Sequence, residues 1–393
     1  MAYVPDPREF GSLGFHLTLA ERLELQTRMM MQAQGRELWA YASGLPDYAG
    51  MRLDHAAGGR LVFGFTDGVE THRRELLRRA SHPARLDVVL APVSREDLEA
   101  QRSRIEFDRE RLAAQGIRLW DTRIDWQSGR VTVGIEDPSA AAQAALRAAY
   151  GDNVDAEAGA APDPHHTGHG SYDARRDDYD PPVRGGIRLT FDNWYRTGYC
   201  SSAFVAYRRG TYPDYYVLSA GHCAGGYEGS GQGWVLWGGR RLNHVTSNSF
   251  EDGSYSDSAI VPIRSAVRSR WVYVQPDWRA WQIHSSIPAM SEQVGHVTCM
   301  AGIYNPGTLR AQNCGTILDN NYNFFDTEYG HWLRRFVQMA GSGYHCRDGD
   351  SGGAVYAGSQ AWGIHYGATR GNCTYSRIAY ALQAHRLTDV VTF

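Results

Sequence analysis

A glycine-rich stretch around one serine, Gly349-Asp350-Ser351-Gly352-Gly353, most strongly constrains how this 393-residue chain folds. Glycines on both sides of Ser351 let the backbone turn sharply and expose its N–H groups. That geometry suits a nucleophilic serine, with the amides of Gly349 and Ser351 as an oxyanion hole. Two other interpretations exist: the Gly-x-Ser-x-Gly elbow of α/β-hydrolases, and an ordinary polar turn.

The order of a histidine, an aspartate and this serine decides between those interpretations. His222 ends an apolar stretch, and Asp257 precedes another short apolar stretch. The α/β-hydrolase elbow requires the serine first, then the acid, then the histidine. After Ser351, His385 comes before Asp389, which is the wrong order. The sequence therefore predicts a base, an orienting acid and a nucleophile that distant segments bring together, in the order His222, Asp257, Ser351.

These three stretches resemble the chymotrypsin-type serine peptidases, in particular the bacterial streptogrisin and alpha-lytic group, over about residues 184–393. The resemblance implies that His222 is the general base, that Asp257 orients it and that Ser351 attacks the substrate carbonyl. It also implies a buried structural ion pair for Asp350, no cofactor, and protein or peptide substrates. The alternatives are a catalytically impaired homologue that only binds proteins, and an esterase.

From Gly186 onward the pattern is typical of an all-β domain. Short strand-like runs, among them 204–207, 215–218 and 259–263, are separated by glycine-rich turns, which indicates a barrel or a sandwich. The resemblance implies two six-stranded antiparallel β-barrels with the triad at their junction. We therefore expect a serine peptidase domain over residues 187–393.

All six cysteines lie in the second half of the chain, and none shows the paired spacing of a metal site. An even set in one β-rich region indicates disulfides and an oxidising, extracellular compartment into which the protein is secreted. Residues 1–30 lack the basic and apolar regions of a signal peptide, so we expect that signal to lie upstream. The residues alone leave many connectivities open. The resemblance implies the pairs Cys200–Cys223, Cys299–Cys314 and Cys346–Cys373.

Composition argues against two other classes of protein. The formal net charge is −3, with 40 Lys and Arg against 43 Asp and Glu. Nothing in this balance indicates a nucleic-acid or membrane-surface partner. The apolar stretches are short and interrupted, so we expect no transmembrane span. We also expect a monomer without a metal site.

The N-terminal residues 1–157 contain an internal repeat. Residues 59–67 align with 129–137, and each strand-like copy is followed by a helical stretch and another short strand. This duplicated strand–helix–strand unit predicts two small α+β lobes of the βαβ type. We expect one helix near 18–42 and a long helix at about 94–115. Heptad spacing in the long helix places three apolar residues on one face: Leu98, Ile105 and Leu112.

Residues 158–186 are rich in glycine, proline and charge without apolar periodicity, which predicts a flexible linker with a processing site. Residues 1–157 resemble, more loosely, the propeptide of the same peptidase group. That resemblance implies a zymogen whose pro-region acts as intramolecular folding aid and inhibitor. A physical reason is that β-barrels have many non-local contacts and fold slowly. The alternative is a permanent binding module fused to the peptidase domain.

A strand-like segment before the last cysteine is expected to line the substrate pocket. Its Gly-Ile-His portion is similar to glutamyl endopeptidases, which implies that His365, with Arg347, favours Glu or Asp before the scissile bond. If His365 is only a satisfied strand histidine, neighbouring aromatic residues favour a large apolar residue instead. Tyr366 stands where the family has the serine that supports the catalytic aspartate, so that support is not expected here. The expected pocket residues are Tyr344, Arg347, His365, Tyr366, Gly367 and Ala368.

Overall fold

The structure is a computed structural model of the chain, and it shows two compact units. Unit 1 comprises the described residues up to Ala161 together with Met290–His296 and Ile317–Asp326, and unit 2 comprises the other described residues. Within the described ranges no helix is long and apolar enough to cross a membrane. The residues that the structure describes are 18–162, 179–193, 196–210, 215–224, 234–274, 279–303, 313–341 and 346–392.

Unit 1 contains two copies of one pattern, a hairpin followed by a helix and a third strand. A helix precedes the first copy where the sequence predicts one near 18–42, and two short helices separate the copies. In chain order the elements are α1 Leu19–Ala42, β1 Tyr48–Asp54, β2 Arg60–Phe65, α2 Val69–Arg79, β3 Leu86–Leu90, α3 Arg95–Phe107, α4 Arg109–Ala114, β4 Leu119–Asp125, β5 Arg130–Ile135, α5 Ala140–Tyr150 and β6 Val154–Ala158.

The two copies share one strand topology. In the first copy β1 pairs antiparallel with β2, and β2 pairs parallel with β3. In the second copy β4 pairs antiparallel with β5, and β5 pairs parallel with β6. A parallel pair needs a crossover connection, which α2 and α5 provide. The strand–helix–strand unit predicted from the sequence repeat is therefore present in both copies.

Residues from far downstream extend the outer strand of each copy. In the first copy the Leu53 N–H donates to the Val294 carbonyl at 2.8 Å. In the second copy β4 pairs antiparallel with Asn323 and Phe324. An outer strand carries unpaired N–H and C=O groups, and these additions pair some of them. Unit 1 is consequently not formed by N-terminal residues alone.

The long helix expected over about 94–115 is in fact two helices, so that prediction is wrong in its length. Helix α3 begins after Ser94 but ends before Asp108. The Asp108 carboxylate accepts hydrogen bonds from the Tyr150 hydroxyl at 2.8 Å and the Arg111 guanidinium at 2.6 Å. These two partners hold the Asp108 side chain at the residue where α3 ends and α4 begins. The three heptad residues stay buried despite this break: Leu98, Ile105 and Leu112.

Trp126 packs against a pair of glycines in the first copy. Gly50 and Gly64 lie opposite each other in the β1–β2 register. A Cβ atom on Gly64 would lie 2.2 Å from the Trp126 ring, and one on Gly50 would lie 2.3 Å from it. The two glycines therefore make room for an indole that joins the second copy to the first.

We predict that Gly64→Ala lowers the free energy of unfolding of unit 1 by about 1–3 kcal/mol, because the added methyl group overpacks a filled site. Hydrogen exchange of the β1 and β2 amides in the full chain measures the effect. Gly44→Ala is the matched control, since a Cβ atom there has no neighbour within 4 Å. Equal exchange rates in the two variants would contradict the packing role of Gly64.

Unit 2 consists mostly of short strands, in agreement with the all-β pattern of its sequence. Its helix α6 spans Ile378–Ala384 near the C-terminus. Residues of β19 from Ile317 onward belong to unit 1. The strands are β7 Arg188–Asn193, β8 Arg196–Ser201, β9 Val205–Tyr207, β10 Tyr215–Ser219, β11 Trp234–Trp237, β12 Arg240–Asn243, β13 Ser247–Asn248, β14 Ala259–Ile263, β15 Trp271–Val274, β16 Arg279–Gln282, β17 Ser285–Ser286, β18 Val297–Ala301, β19 Asn313–Asp326, β20 His331–Ala340, β21 Ala354–Ala357, β22 Gln360–Thr369, β23 Asn372–Arg377 and β24 Asp389–Val390.

These strands form two groups. In the first group, β13-β14-β10-β9-β24 and β12-β11-β7-β8 are two sheets, and both contribute to one apolar core that includes Val217, Val235 and Val261. In the second group, β18, β21, β22, β23 and β20 follow one another as antiparallel neighbours. The all-β class of this part of the chain is confirmed. Its closure into two six-stranded barrels stays a prediction.

Three disulfides join elements of unit 2 in the pairing that the resemblance implies. One fastens the residue after His222 to the end of β8. A second joins the paired strands β18 and β19, and a third joins the segment before Ser351 to β23. Two of these bridges therefore restrain the backbone next to the expected base and the expected nucleophile. The pairs are Cys200–Cys223, Cys299–Cys314 and Cys346–Cys373.

Candidate active site

Strand pairing brings His222 and Asp257 together. His222 follows the end of β10, Asp257 precedes the start of β14, and the two strands pair antiparallel with Ser219 opposite Ala259. Because antiparallel neighbours begin and end at the same edge, the two side chains emerge side by side. His222 Nδ1 lies 2.6 Å from Asp257 Oδ2, and the His222 backbone N–H donates to Asp257 Oδ1 at 2.8 Å.

The Asp257 carboxylate is buried, and these two donors from His222 stabilise it there. Because the carboxylate accepts from Nδ1–H, the neutral imidazole keeps its lone pair on Nε2, the atom that a general base uses. Gly221 leaves room for the close contact between His222 and Asp257. A Cβ atom on Gly221 would lie 3.0 Å from Asp257 Oδ1 and 2.4 Å from Asn248 Oδ1, so a larger residue does not fit.

Ser351 lies in the tight turn that leads into β21, as its glycine-rich surroundings predict. Gly352 has a φ of 82°, in the left-handed region that favours glycine. Two backbone bonds fasten the turn to β22. The Gly352 N–H donates to the His365 carbonyl at 2.8 Å, and the His365 N–H donates to the Gly353 carbonyl at 2.9 Å.

Tyr366 contacts both the serine and the histidine. The Ser351 hydroxyl donates to the Tyr366 carbonyl at 2.8 Å, and the Tyr366 ring meets the His222 ring in a T-shaped contact with centroids 5.2 Å apart. A hydroxyl has a single proton, so in this conformation Ser351 directs it to the carbonyl and not to His222. Proton transfer to Nε2 therefore requires the Ser351 hydroxyl to turn away from the Tyr366 carbonyl.

The expected oxyanion hole lies on the turn before Ser351. Gly349 has a φ of 90°, and the Asp350 N–H closes the turn by donating to the Arg347 carbonyl at 2.9 Å. The buried Asp350 carboxylate accepts from the Arg347 N–H at 3.1 Å. It packs so closely on Gly302 that a Cβ atom there would lie 2.2 Å from Oδ1. The oxyanion role of the Gly349 and Ser351 amides and the ion pair of Asp350 stay predictions.

Ser201, which the sequence patterns do not single out, connects this turn to the rest of unit 2. Its Oγ donates to the Gly349 carbonyl at 2.8 Å and accepts from the Ile303 N–H at 2.9 Å. Its N–H donates to the Ser351 carbonyl at 2.7 Å, and its carbonyl accepts from Ser219 Oγ at 2.8 Å. Every polar atom of this buried serine is used. No sequence signal marks it, because most of its partners lie far away along the chain.

The expected pocket residues lie mainly on β22, the strand whose carbonyl receives the Ser351 hydroxyl. Arg347 is exposed on the turn before Ser351, and Tyr344 lies outside the described residues. Pairing with β21 and β23 holds β22 in a fixed register beside the nucleophile. The members on β22 are His365, Tyr366 and Gly367, which are buried, and Ala368, which is half-buried.

The loop that carries Asp257 is supported by hydroxyl groups and a histidine. Ser376 Oγ donates to the Asp257 backbone carbonyl at 3.3 Å. The next residue, Ser258, places its Oγ 2.9 Å from His385 Nε2. His385 is buried, and burial lowers its pKa from the ordinary 6.5 to about 4. It is therefore a neutral imidazole at neutral pH.

No family model and no curated protein matches the sequence. Among solved structures, the chain is similar to a glutamic-acid-specific serine protease that uses a histidine triad in substrate binding, with 24% identity and a TM-score of 0.41. It is also similar to Thermobifida fusca protease A (22%, TM-score 0.39) and to Nocardiopsis protease (21%, TM-score 0.39). Each similarity covers 53% of this chain and 98% to 100% of the other.

The chain is similar to bacterial chymotrypsin-like serine proteases over about half of its length. The solved structures named above are serine proteases, and each resemblance concerns the fold at low sequence identity. Residue roles in this chain consequently depend on its own geometry.

Ser201→Ala is expected to lower kcat on the order of tenfold with little change in KM, because the Gly349 carbonyl loses the donor that fixes it. The change also removes a partner from two buried polar groups, which lowers the unfolding free energy by about 1–3 kcal/mol. Peptide-ester kinetics and urea unfolding measure the two effects.

The matched control for this test is Ser202→Ala. The Ser202 hydroxyl is also buried, but it donates to the Arg184 carbonyl at 2.7 Å and not to the turn that carries Ser351. We expect a loss of stability without a loss of kcat. An equal fall in kcat for both variants would show that Ser201 acts on stability only.

The low pKa of His385 predicts how stability depends on pH. Between pH 4 and 6.5 the unfolded chain binds a proton that the folded chain does not, so the unfolding free energy falls as the pH is lowered through this window. The contribution is complete above pH 6.5 and amounts to about 3 kcal/mol. Urea unfolding from pH 4 to pH 7 measures it, and His385→Gln should flatten the curve. Identical curves of unfolding free energy against pH for wild type and His385→Gln would show that His385 does not have a lowered pKa.

Proposed function

We propose that this chain is a serine endopeptidase that hydrolyses peptide bonds through His222, Asp257 and Ser351. The observation that carries the proposal is the buried hydrogen bond of 2.6 Å between His222 Nδ1 and Asp257 Oδ2, with Tyr366 linking this pair to Ser351. A buried carboxylate that orients an imidazole beside a serine on a glycine turn has the geometry of a nucleophile with its base. The proposal covers acyl transfer and then hydrolysis.

In the proposed mechanism Ser351 first rotates from the Tyr366 carbonyl towards His222. His222 Nε2 removes the hydroxyl proton while Oγ attacks the substrate carbonyl, and Asp257 stabilises the imidazolium that forms. The amides of Gly349 and Ser351 donate to the oxyanion of the tetrahedral intermediate. His222 returns the proton to the leaving amine, and water releases the acyl group by the same steps.

The proposed chemistry requires no cofactor, because His222 takes the proton from Ser351 and delivers it to the leaving amine, and later takes a proton from the attacking water and returns it to Ser351. Within the described ranges, no group of three or more His, Cys, Asp or Glu side chains is arranged to hold a metal ion.

The proposed substrate preference is for Glu or Asp before the scissile bond, through His365 on β22 and the exposed Arg347 beside the nucleophile turn. A glutamic-acid-specific protease is among the structures that this chain resembles. A preference for large apolar residues is the alternative, because His365 is buried next to Tyr366. Peptide-library cleavage with the residue before the scissile bond varied distinguishes the two.

We further propose that residues 1–157 act as a pro-region, joined by the linker 158–186 to a peptidase domain over 187–393. The support is that unit 1 includes residues of the peptidase part. On helix α3 the buried Glu106 accepts from Asn323 Nδ2 at 2.6 Å, and the buried Arg102 donates to the Asn321 carbonyl. Without those partners α3 would bury two charged groups with fewer hydrogen bonds, which is costly. The N-terminal region and the downstream segments therefore stabilise each other.

Secretion into an oxidising compartment is the proposed location, because three disulfides join elements of unit 2. In that setting the chain is made as a zymogen, acts as a monomer on protein or peptide substrates, and loses its pro-region by cleavage in the linker. A pro-region that assists folding suits a β-rich domain with many non-local contacts.

A second candidate function is protein binding without catalysis. The observation that favours it is the donation of the Ser351 hydroxyl to the Tyr366 carbonyl, which engages the hydroxyl proton with a backbone acceptor. In that case the Ser351 hydroxyl would stay bonded to the Tyr366 carbonyl and would not rotate towards His222. The two candidates differ in whether Ser351 reacts with an electrophile.

Labelling with a fluorophosphonate probe tests the proposed function. We expect covalent modification at Ser351, since a rotated and deprotonated hydroxyl attacks phosphorus as it attacks a carbonyl. Asp257→Asn should slow labelling by about 10⁴-fold while leaving the fold intact, because the imidazole takes the wrong tautomer. Mass spectrometry of the labelled product locates the modified residue and shows whether residues 1–157 remain attached.

Ser351→Ala is the control, and it must abolish labelling. Equal labelling of both proteins would place the reactive group elsewhere. A wild-type chain that neither labels nor cleaves peptides would favour the binding function, and cleavage of esters without peptides would favour an esterase.

A further inference from the structure

His385 occupies a buried position behind the loop that carries Asp257. It directly follows helix α6, which ends at Ala384. Its Nε2 lies 2.9 Å from Ser258 Oγ and 3.1 Å from the Ser258 carbonyl oxygen, and its Nδ1 lies 2.9 Å from Ser247 Oγ. Both ring nitrogens therefore contact residues on the two sides of the Asp257 loop.

The hydrogen-bond partners fix the tautomer of His385. A carbonyl oxygen only accepts, so Nε2 carries the hydrogen that faces Ser258. Nδ1 then accepts from the Ser247 hydroxyl. The neutral imidazole thus has a hydrogen-bond partner at each ring nitrogen. Burial lowers the pKa of His385 to about 4, so the ring stays neutral at neutral pH. The Arg208 guanidinium donates to the His385 backbone carbonyl and further disfavours a charged ring.

Ser258 transmits this contact to the residues around Asp257. Its Oγ also lies 2.7 Å from Ser256 Oγ and 2.9 Å from Ser249 Oγ. The Ser249 N–H donates to the Ser258 carbonyl at 2.8 Å, and the Ser258 N–H donates to Ser249 Oγ at 3.2 Å. The residues immediately before and after Asp257 are thus both tied into one hydroxyl network, which His385 joins through its ring.

We propose that His385 is a positioning residue that sets the place of the Asp257 carboxylate through Ser258. The proposal rests on the proposed triad. Asp257 accepts from His222 at 2.6 Å and 2.8 Å, and a small displacement of its backbone lengthens both bonds. His385 does not touch the reacting atoms and exchanges no proton in the reaction. Its effect is to keep the orienting carboxylate within hydrogen-bond distance of His222.

Three variants of the full chain test this proposal. His385→Leu removes the hydrogen bonds of both ring nitrogens, Ser258→Ala removes one of the two Ser258 oxygens near Nε2, and His385→Gln retains an amide that donates to Ser258. We expect His385→Leu and Ser258→Ala to lower kcat on the order of tenfold with KM within about twofold. We expect His385→Gln to recover most of the wild-type kcat.

A second measurement reports the position of Asp257 without turnover. The proton between His222 Nδ1 and Asp257 Oδ2 gives a far-downfield ¹H signal, because it lies in a short bond to a carboxylate. We expect the signal to shift upfield or broaden in His385→Leu and Ser258→Ala, and to stay in place in His385→Gln. Ser269→Ala is the matched control, since Ser269 is a buried serine that donates to the Val183 carbonyl away from this loop.

The outcomes separate the proposal from the proposed function. Variants that lose thermal stability but keep kcat and the downfield signal would show that His385 is merely structural, and would overturn the proposal. If His385→Leu does not fold, the test compares Ser258→Ala with Ser269→Ala by the same two measurements, kcat and the downfield signal. A wild-type chain that shows the signal but neither labels with fluorophosphonate nor cleaves peptides would overturn the proposed function, while the signal still tests the positioning of Asp257.

Discussion

The buried contact between His222 and Asp257 is the interaction on which the rest of unit 2 depends. Moving a carboxylate out of water is costly unless donors replace the lost hydration, and here His222 supplies two of them. Such a contact tolerates little displacement. The β10–β14 pairing, the absence of a side chain on Gly221 and the disulfide beside His222 all act to keep the two groups in place.

Buried serines link backbone segments to one another around this contact. A hydroxyl both donates and accepts, so it joins two backbone segments without introducing a charge that would itself need a partner. Ser201 connects the nucleophile turn to Ile303, and Ser258 connects the loop of the acid to His385. The serine at the centre of the proposed mechanism differs from these, because its hydroxyl must leave its carbonyl partner to react.

Unit 1 differs from unit 2, because its sequence repeat predicts most of its local structure. Each copy nevertheless has an outer strand that receives residues from far downstream. Unpaired groups on a strand edge and buried charges are unfavourable unless they find partners. The repeat therefore accounts for the two lobes, but the downstream residues that pair with their edges and charges lie outside it. Segments from far downstream therefore complete the lobes that the N-terminal repeat begins.

The sequence by itself determined the features that depend on local order. The turn at Ser351, the all-β pattern of the second half and the two strand–helix–strand copies follow from glycine placement and apolar spacing within short windows. The order of the three proposed catalytic residues excluded the α/β-hydrolase arrangement without any coordinates. The disulfide pairs followed from resemblance, since spacing alone left many connectivities open.

Only the tertiary structure decided what depends on contacts between distant residues. The expected long helix is interrupted at Asp108, where the carboxylate accepts from Tyr150, and no local pattern contains that partner. Ser201 and His385 lack a sequence signal for the same reason, since a serine or histidine gains its role from the groups it meets. Apolar periodicity specifies which face is buried, whereas the identity of each buried hydrogen-bond partner is set by the packing of elements far apart in the chain.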